Sequence, residues 1–357
     1  MYVKSIKLRL IFNSFGDEVI EAVINDKYVA SSTFGISKSS HRALEVPVEK
    51  GIRNFNKIKK KFIGEFTQRD FDRLLKKYMK VLGSAVTTSL SLAFFSSSRP
   101  KKGKVPRLLG NVLGGGMFSF SKTKTEIQEI LVSPKTKDIK DAIRINFKIW
   151  HEVKDELKKR RAILGLNPES AWLSTLDNER SLDLVRRIAR RYNADVGIDF
   201  AASHIFKKGK YVYHNRSLGR DRHVDYVINL IKSYNLFYVE DPVEENDFEG
   251  FAEIKKKTKA LICGDDLTAT HPERVKEAVK RKSINSVLIK PNQAGTVTDT
   301  LEVFKIANKY KLKTVVSHRS KETCCPVVAK LALISDFAKF GVGGIRICKL
   351  NELIRLL

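Results

Sequence analysis

The sequence predicts an α/β protein, a β/α barrel preceded by a smaller N-terminal α+β domain, with the two units at residues 1–104 and 105–357. Three observations carry this. The first hundred residues hold one strand-like pair and one long helical region. A polar break, Ser96-Ser97-Ser98-Arg99-Pro100-Lys101-Lys102-Gly103, follows them. Beyond Val105, short apolar runs alternate with amphipathic helical stretches. Such alternation implies a parallel sheet with crossover helices, and about 250 residues of it suit a closed barrel better than an open sheet.

Lys4 to Ile24 alternates apolar and polar residues in two runs around Asn13-Ser14-Phe15-Gly16-Asp17, the pattern of a β-hairpin. A serine-rich loop is expected from Ser31 to Ser40. Apolar residues recur at helical spacing from Gln68 to Phe95, giving roughly two helices. In the second unit the apolar runs are Leu108 to Leu113, Val196 to Phe200, Leu236 to Val239, Ala260 to Cys263, Val287 to Ile289 and Thr314 to Val316. Helical patterns such as Leu182 to Arg191, His223 to Tyr234, Pro272 to Arg281 and Thr298 to Tyr310 separate them.

Composition excludes several classes. Four cysteines, two of them adjacent at Cys324 and Cys325, are no disulfide framework and fit a reducing, cytoplasmic setting. The start, Met1 to Ile11, lacks the apolar stretch of a signal peptide. No segment reads as long enough to span a bilayer, so no membrane insertion is expected. The net charge is +27, from 67 Lys and Arg against 40 Asp and Glu. Such a field attracts polyanions. The basic residues are scattered in short runs, however, and no aromatic-interleaved nucleic-acid motif accompanies them.

Chemistry gathers where the apolar runs end. Val196-Gly197-Ile198 ends in Asp199; Leu236 to Val239 in Glu240-Asp241; Leu261 to Gly264 in Asp265-Asp266; Val287 to Ile289 in Lys290; Thr314 to Ser317 in His318-Arg319. The carboxyl ends of barrel strands build the active site. Successive strands would therefore deliver three carboxylates, a lysine, a histidine and an arginine to one mouth. Hard oxygen ligands on separate strands suit Mg²⁺. A lysine beside such a cation is less readily protonated and can act as a base on a carbon acid.

Five stretches in this order resemble the signatures of the enolase family. They are Gly197-Ile198-Asp199-Phe200-Ala201-Ala202-Ser203, Val239-Glu240-Asp241-Pro242, Gly264-Asp265-Asp266-Leu267-Thr268-Ala269-Thr270, Leu288-Ile289-Lys290-Pro291-Asn292-Gln293-Ala294-Gly295 and Ser317-His318-Arg319-Ser320-Lys321-Glu322-Thr323. The resemblance implies an enolase-type barrel that interconverts 2-phosphoglycerate and phosphoenolpyruvate in glycolysis and gluconeogenesis, using two Mg²⁺ ions. It implies Asp199, Glu240 and Asp265 as metal ligands, and Lys290 as the base at C2. Arg319 and Ser320 would contact phosphate, with His318 beside the substrate and Lys339, in Ala338-Lys339-Phe340-Gly341, facing the substrate carboxylate. Glu129, in Gln128-Glu129-Ile130, and Glu169, in Asn167-Pro168-Glu169, match the family's two glutamates. Glu169 would be the acid at the C3 hydroxyl and Glu129 its support. Ser37, in Phe34-Gly35-Ile36-Ser37-Lys38, resembles the mobile-loop serine that closes over the second metal ion. The resemblance also allows a homodimer.

Departures from the family pattern are specific. Phe118, in Gly115-Gly116-Met117-Phe118, stands where a substrate-side histidine is expected. Phe15 replaces an arginine near the usual dimer contact, Lys38 replaces a threonine, and Glu169 is followed by Ser170-Ala171 rather than glycine. The segment after Lys339 is short, and the chain ends at Leu357 without an acidic tail. A second reading therefore stays open: a catalytically weak paralogue that binds RNA or another polyanion.

Overall fold

The computed structural model describes residues 1–32, 44–98, 103–118 and 122–357, the last residue of the turn Gly116–Phe118 by its backbone alone. The N-terminal hairpin forms as its alternation requires. Strands Ile6–Phe12 and Glu18–Ile24 pair antiparallel, Ile6 opposite Ile24 and Phe12 opposite Glu18. Asn13 closes the turn: its Oδ1 accepts the backbone N–H of Phe15 at 2.8 Å and of Asp17 at 3.1 Å, an Asx turn. A third strand, Tyr28–Ser31, continues the sheet where the sequence predicts the start of a loop.

Against this sheet lie helices Val48–Ile58 and Gln68–Ser96. The second is two helices in one span, broken at Gly83 with φ 79° and ψ 160°. Only glycine fits there. The φ is left-handed, and a Cβ would stand 2.7 Å from the Cβ of Val46. By length and composition this span could cross a bilayer, which corrects the expectation that no segment is long enough. However, 72% of its apolar window is buried inside the protein, as in a core helix. It docks on the barrel through polar contacts. Asp72 accepts the Thr298 N–H at 2.8 Å, and Ser91 Oγ accepts that of Val297 at 2.8 Å.

The second unit closes into a barrel. Its sheet has eleven strands. Ile163–Leu166 and Trp172–Ser174 form an outlying pair on one edge. Arg107–Leu108 and Gly110–Gly114 form one extended run that pairs with Phe337–Lys339 on one side and Glu129–Pro134 on the other. Between them Leu109 donates its N–H to Ala338 O at 2.9 Å. Eight extended runs therefore close the ring among the described residues. In ring order they are 107–114, Glu129–Pro134, Ala194–Asp199, Tyr238–Glu240, Leu261–Gly264, Ser286–Ile289, Lys313–Ser317 and Phe337–Lys339. The expectation of a parallel sheet fails at two places: Glu129–Pro134 runs antiparallel to both neighbours, and the edge strand Ile163–Leu166 runs antiparallel to Trp172–Ser174. Among its described residues the link from Gly114 to Glu129 holds only the short turn Gly116–Phe118, and parallel neighbours need a crossover of a dozen or more residues, usually a helix.

Period-2 alternation sorts the strand residues. Leu109, Leu131, Tyr238, Cys263, Leu288, Val315 and Phe337 form one buried cluster inside the barrel. Their chain neighbours Val239, Ile262, Val287, Ile289 and Val316 point outward into the larger core beneath the helices. Gly197 leaves room for Tyr238, because a Cβ at 197 would meet the Tyr238 Cβ and carbonyl O at 2.9 Å.

Candidate active site

The same alternation builds the site. Two residues nearer the mouth than each interior residue, on the same face of its strand, stand Asn111, Glu129, Glu240, Asp265, Lys290, Ser317 and Lys339, and Asp199 stands two beyond Gly197. Glu129 arrives from the start of its strand because that strand is reversed. Its register opposite Asp199 and Gly114 brings it to the same mouth. Around the ring, Glu129 on the second run and Lys290 just past the sixth are half a turn apart. Asp199, Glu240 and Asp265 fill the interval on the runs between them. Glu129, Glu169, Asp199, Asp265, Lys290, His318, Arg319, Ser320 and Lys339 line one small cavity, together with Gln128 and Ser317.

Two lysines divide the carboxylates. Lys339 Nζ lies 2.9 Å from Asp199 Oδ2, 2.9 Å from Glu240 Oε2 and 3.0 Å from Glu129 Oε2. Lys290 pairs with Asp265 Oδ2. Burial works against the charge on both lysines. Asp199 and Glu129 outweigh it at Lys339, and Asp265 outweighs it at Lys290, so both are held protonated. The lowered lysine expected from the sequence therefore requires a cation that draws Asp265 away.

Asp199, Glu240 and Asp265 come from adjacent strands, but the tight groupings lie elsewhere. Among the described residues, the sets whose ligand atoms fall within 4.8 Å of one another are Asp241–Asp265–Asp266 and Glu129–Glu169–His318. Asp241, at φ 40°, accepts the N–H groups of Asp265 at 2.9 Å and Asp266 at 2.7 Å, which fixes the turn that presents Asp265. The three strand-end carboxylates nevertheless suit a divalent cation. Asp199 Oδ1 and Glu240 Oε1 are buried without a hydrogen-bond partner. Burial and the neighbouring Asp199 push the Glu240 carboxyl up to about 8. Buried oxygens left unpaired and mutually repelling are what a cation would satisfy.

Opposite Lys290 lies the second glutamate. Asn167 shapes its loop, accepting the N–H groups of Glu169 and Ala171, each at 2.9 Å. Arg346, fully buried, ties this loop to the one after Ser317. It donates to Pro168 O at 3.1 Å, Arg319 O at 3.0 Å and Ser320 O at 2.9 Å. His318 Nε2 faces Glu169 Oε1 at 3.4 Å. Its Nδ1 lies 2.8 Å from Lys339 O, which assigns the ring proton to Nδ1. Burial, with Arg346 nearby, pushes His318 down to about 4, so the ring is neutral near pH 7. Burial and the Glu169 charge push Glu129 well above the usual carboxylate range. Burial opposes charge on Glu169 as well, but the hydrogen bond from Glu129 and the charge of Arg346 hold it well below that range. One proton thus serves the glutamate pair, resting on Glu129.

Ser37 and Lys38 lie outside the described residues, as does the side chain of Phe118. The sequence reading gave no role to Asp241 or Glu322, although both stand in the family-like stretches, nor to Arg346 or to Lys349, which pairs with Glu322 at 2.7 Å. Glu322 also accepts the Arg319 N–H at 2.8 Å and so holds the loop bearing Arg319. Arg346 and Asp241 act on loops distant in sequence, and Lys349 reaches Glu322 from the last helix, so the residues around them do not reveal what each holds.

Fold and site together define a β/α-barrel protein whose mouth gathers two lysines, a glutamate pair and strand-end carboxylates around one small polar cavity. Comparison with known proteins makes the class specific. The family described as the enolase C-terminal TIM barrel domain matches residues 103–357. Curated relatives named enolase cover the whole chain. That of Picrophilus torridus is 36% identical over 99% of this chain and 98% of its own, and that of Archaeoglobus fulgidus 34% over 100% and 97%. That of Thermoplasma acidophilum is 32% identical over 99% and 98%. The chain belongs to the enolase family. Membership carries the family's general character, a hydro-lyase that uses a divalent metal.

Proposed function

We propose that this protein is an enolase that reversibly dehydrates 2-phosphoglycerate to phosphoenolpyruvate in the cytoplasm, with Mg²⁺. The observation that carries the reading is the ring order: a lysine and a proton-sharing glutamate pair half a turn apart around one cavity, with carboxylates between them. Lys290 removes the C2 proton. Lys339 faces the substrate carboxylate as it gains charge. Arg319 and Ser320 hold the phosphate. Glu129 passes its proton to Glu169, which delivers it to the departing C3 hydroxyl. His318, neutral and with its Nε2 lone pair aimed at Glu169, accepts a hydrogen bond from that carboxyl once the proton has reached it and so orients it. Asp199, Glu240 and Asp265 would hold the metal ion, which supplies positive charge for the developing enediolate and relieves Lys290 of its pairing with Asp265. Ser37 would reach the second ion from its loop.

Exchange of the C2 hydrogen tests these roles separately. In D₂O with Mg²⁺, the Glu169→Gln variant should wash deuterium into C2 of 2-phosphoglycerate without forming phosphoenolpyruvate, whereas Lys290→Ala should do neither. Exchange that persists in Lys290→Ala would remove Lys290 from the base role. Polyanion binding rests on the +27 charge alone, and no structural observation favours it.

A further inference from the structure

A second cavity, open to solvent and of mixed polar and apolar lining, lies near the mouth, bounded by Gly116, the segment from Thr123 to Glu126, His204 and His214. Its walls run straight into the site. Gly116 follows strand Gly110–Gly114, Glu126 precedes Glu129, and His204 ends the single turn Ala202–His204 just after Asp199. Two wall atoms are buried with no hydrogen-bond partner, Nε2 of His204 and Oγ1 of Thr123. Thr123 itself is only 8% exposed. The neighbouring Thr125 shows the contrast, its hydroxyl bonded to Leu176 O at 2.7 Å. An unmet buried polar atom costs on the order of 1–3 kcal/mol, so two on one cavity point to a ligand rather than to packing.

The charges indicate which ligand. Glu126 is engaged by the His214 backbone N–H at 2.8 Å. Lys124 remains as an exposed cation at the rim. Burial pushes His204 below the ordinary histidine value even though Asp199 and Asp265 pull it upward, so its ring is neutral. An ammonium, an imidazole and a hydroxyl from separate positions suit a tetrahedral oxyanion that accepts on several sides. We propose that this cavity is a second oxyanion subsite, which takes a phosphate group on Lys124, His204 and Thr123. The phosphate belongs either to the phosphorylated substrate as it enters the mouth, which rests on the function proposed above, or to free inorganic phosphate.

Imidazole NMR on the full-length Lys290→Ala variant, which leaves 2-phosphoglycerate unconsumed, tests this without relying on turnover. His204→Gln identifies the His204 signals among the seven histidines. Titration with 2-phosphoglycerate and, separately, with inorganic phosphate should shift them saturably, and adding Lys124→Ala should weaken the responding titration about tenfold. A response to the ester alone assigns the subsite to substrate entry, and a response to inorganic phosphate assigns it to phosphate itself. A response from a protein that proves to have no lyase activity would keep the subsite and sink the proposed function. Signals that neither ligand moves, or a shift that Lys124→Ala and Thr123→Val both leave unchanged, would overturn the subsite.

Discussion

Two layers of the barrel, two residues apart on the same strands, follow opposite rules. The inner layer, from Leu109 to Phe337, is apolar apart from the Tyr238 hydroxyl and the Cys263 thiol, and fully packed. The Tyr238 hydroxyl reaches up to Glu240 Oε2 at 2.7 Å. The mouth layer, from Glu129 to Lys339, buries carboxylates and lysines together and leaves Asp199 Oδ1 and Glu240 Oε1 without hydrogen bonds. One layer lowers the free energy of folding. The other stores unfavourable electrostatics that stay in place only because the first is rigid. The difference teaches that the mouth is arranged for a ligand and the floor for the fold.

That contrast can be broken in graded ways. The largest expected effect is on chemistry: Lys290→Ala should lower lyase turnover by about 10²–10⁴-fold while circular dichroism stays native. Next, Lys339→Met strands Asp199, Glu240 and Glu129 without their shared cation. Urea titration in chelator should show a loss of about 3–5 kcal/mol, partly recovered by Mg²⁺. Leu288→Ala in the floor should cost about 2–5 kcal/mol and leave Mg²⁺ affinity, read by calorimetry, unchanged. Gly197→Ala drives a methyl against Tyr238 and should cost about 1–3 kcal/mol by the same titration.

The smallest effect is on pH dependence. The folded Glu240 carboxyl, at about 8, lies above its ordinary value of 4.5, so the folded state binds the extra proton. Its contribution is fully present below that ordinary value and is lost as pH rises through about 8. In chelator, stability should therefore fall across that window, and Glu240→Gln should flatten the fall. A fall equally steep in the variant would place its origin elsewhere.

Much of this was legible in the sequence because strand-end residues follow from period 2. Asp199, Glu240, Asp265 and Lys290 each end or follow an apolar run, so their convergence needs only a barrel. Lys339 and Glu129 were harder. Their strands, Phe337–Lys339 and Glu129–Pro134, stand in no conspicuous strand–helix alternation, and only the family resemblance pointed to them. The roles of Arg346, Asp241 and the Glu322–Lys349 pair were not legible, although Asp241 and Glu322 stand in the family-like stretches, because what each does is hold a loop in place. The antiparallel second strand was missed for a related reason: direction depends on the connection, not on the strand's own residues. The reading of roughly two helices over Gln68 to Phe95 did not locate the break at Gly83, because what leaves no room for a Cβ there is Val46, a residue of another segment.

The central claim is that the mouth layer performs enolase chemistry. Ultraviolet absorbance of phosphoenolpyruvate, followed after adding 2-phosphoglycerate and Mg²⁺ to the purified protein and to Lys290→Ala, tests it most directly. The account predicts turnover in the native chain that chelator abolishes and that the folded variant lacks. No turnover above the variant, from a folded protein that binds Mg²⁺, would contradict it.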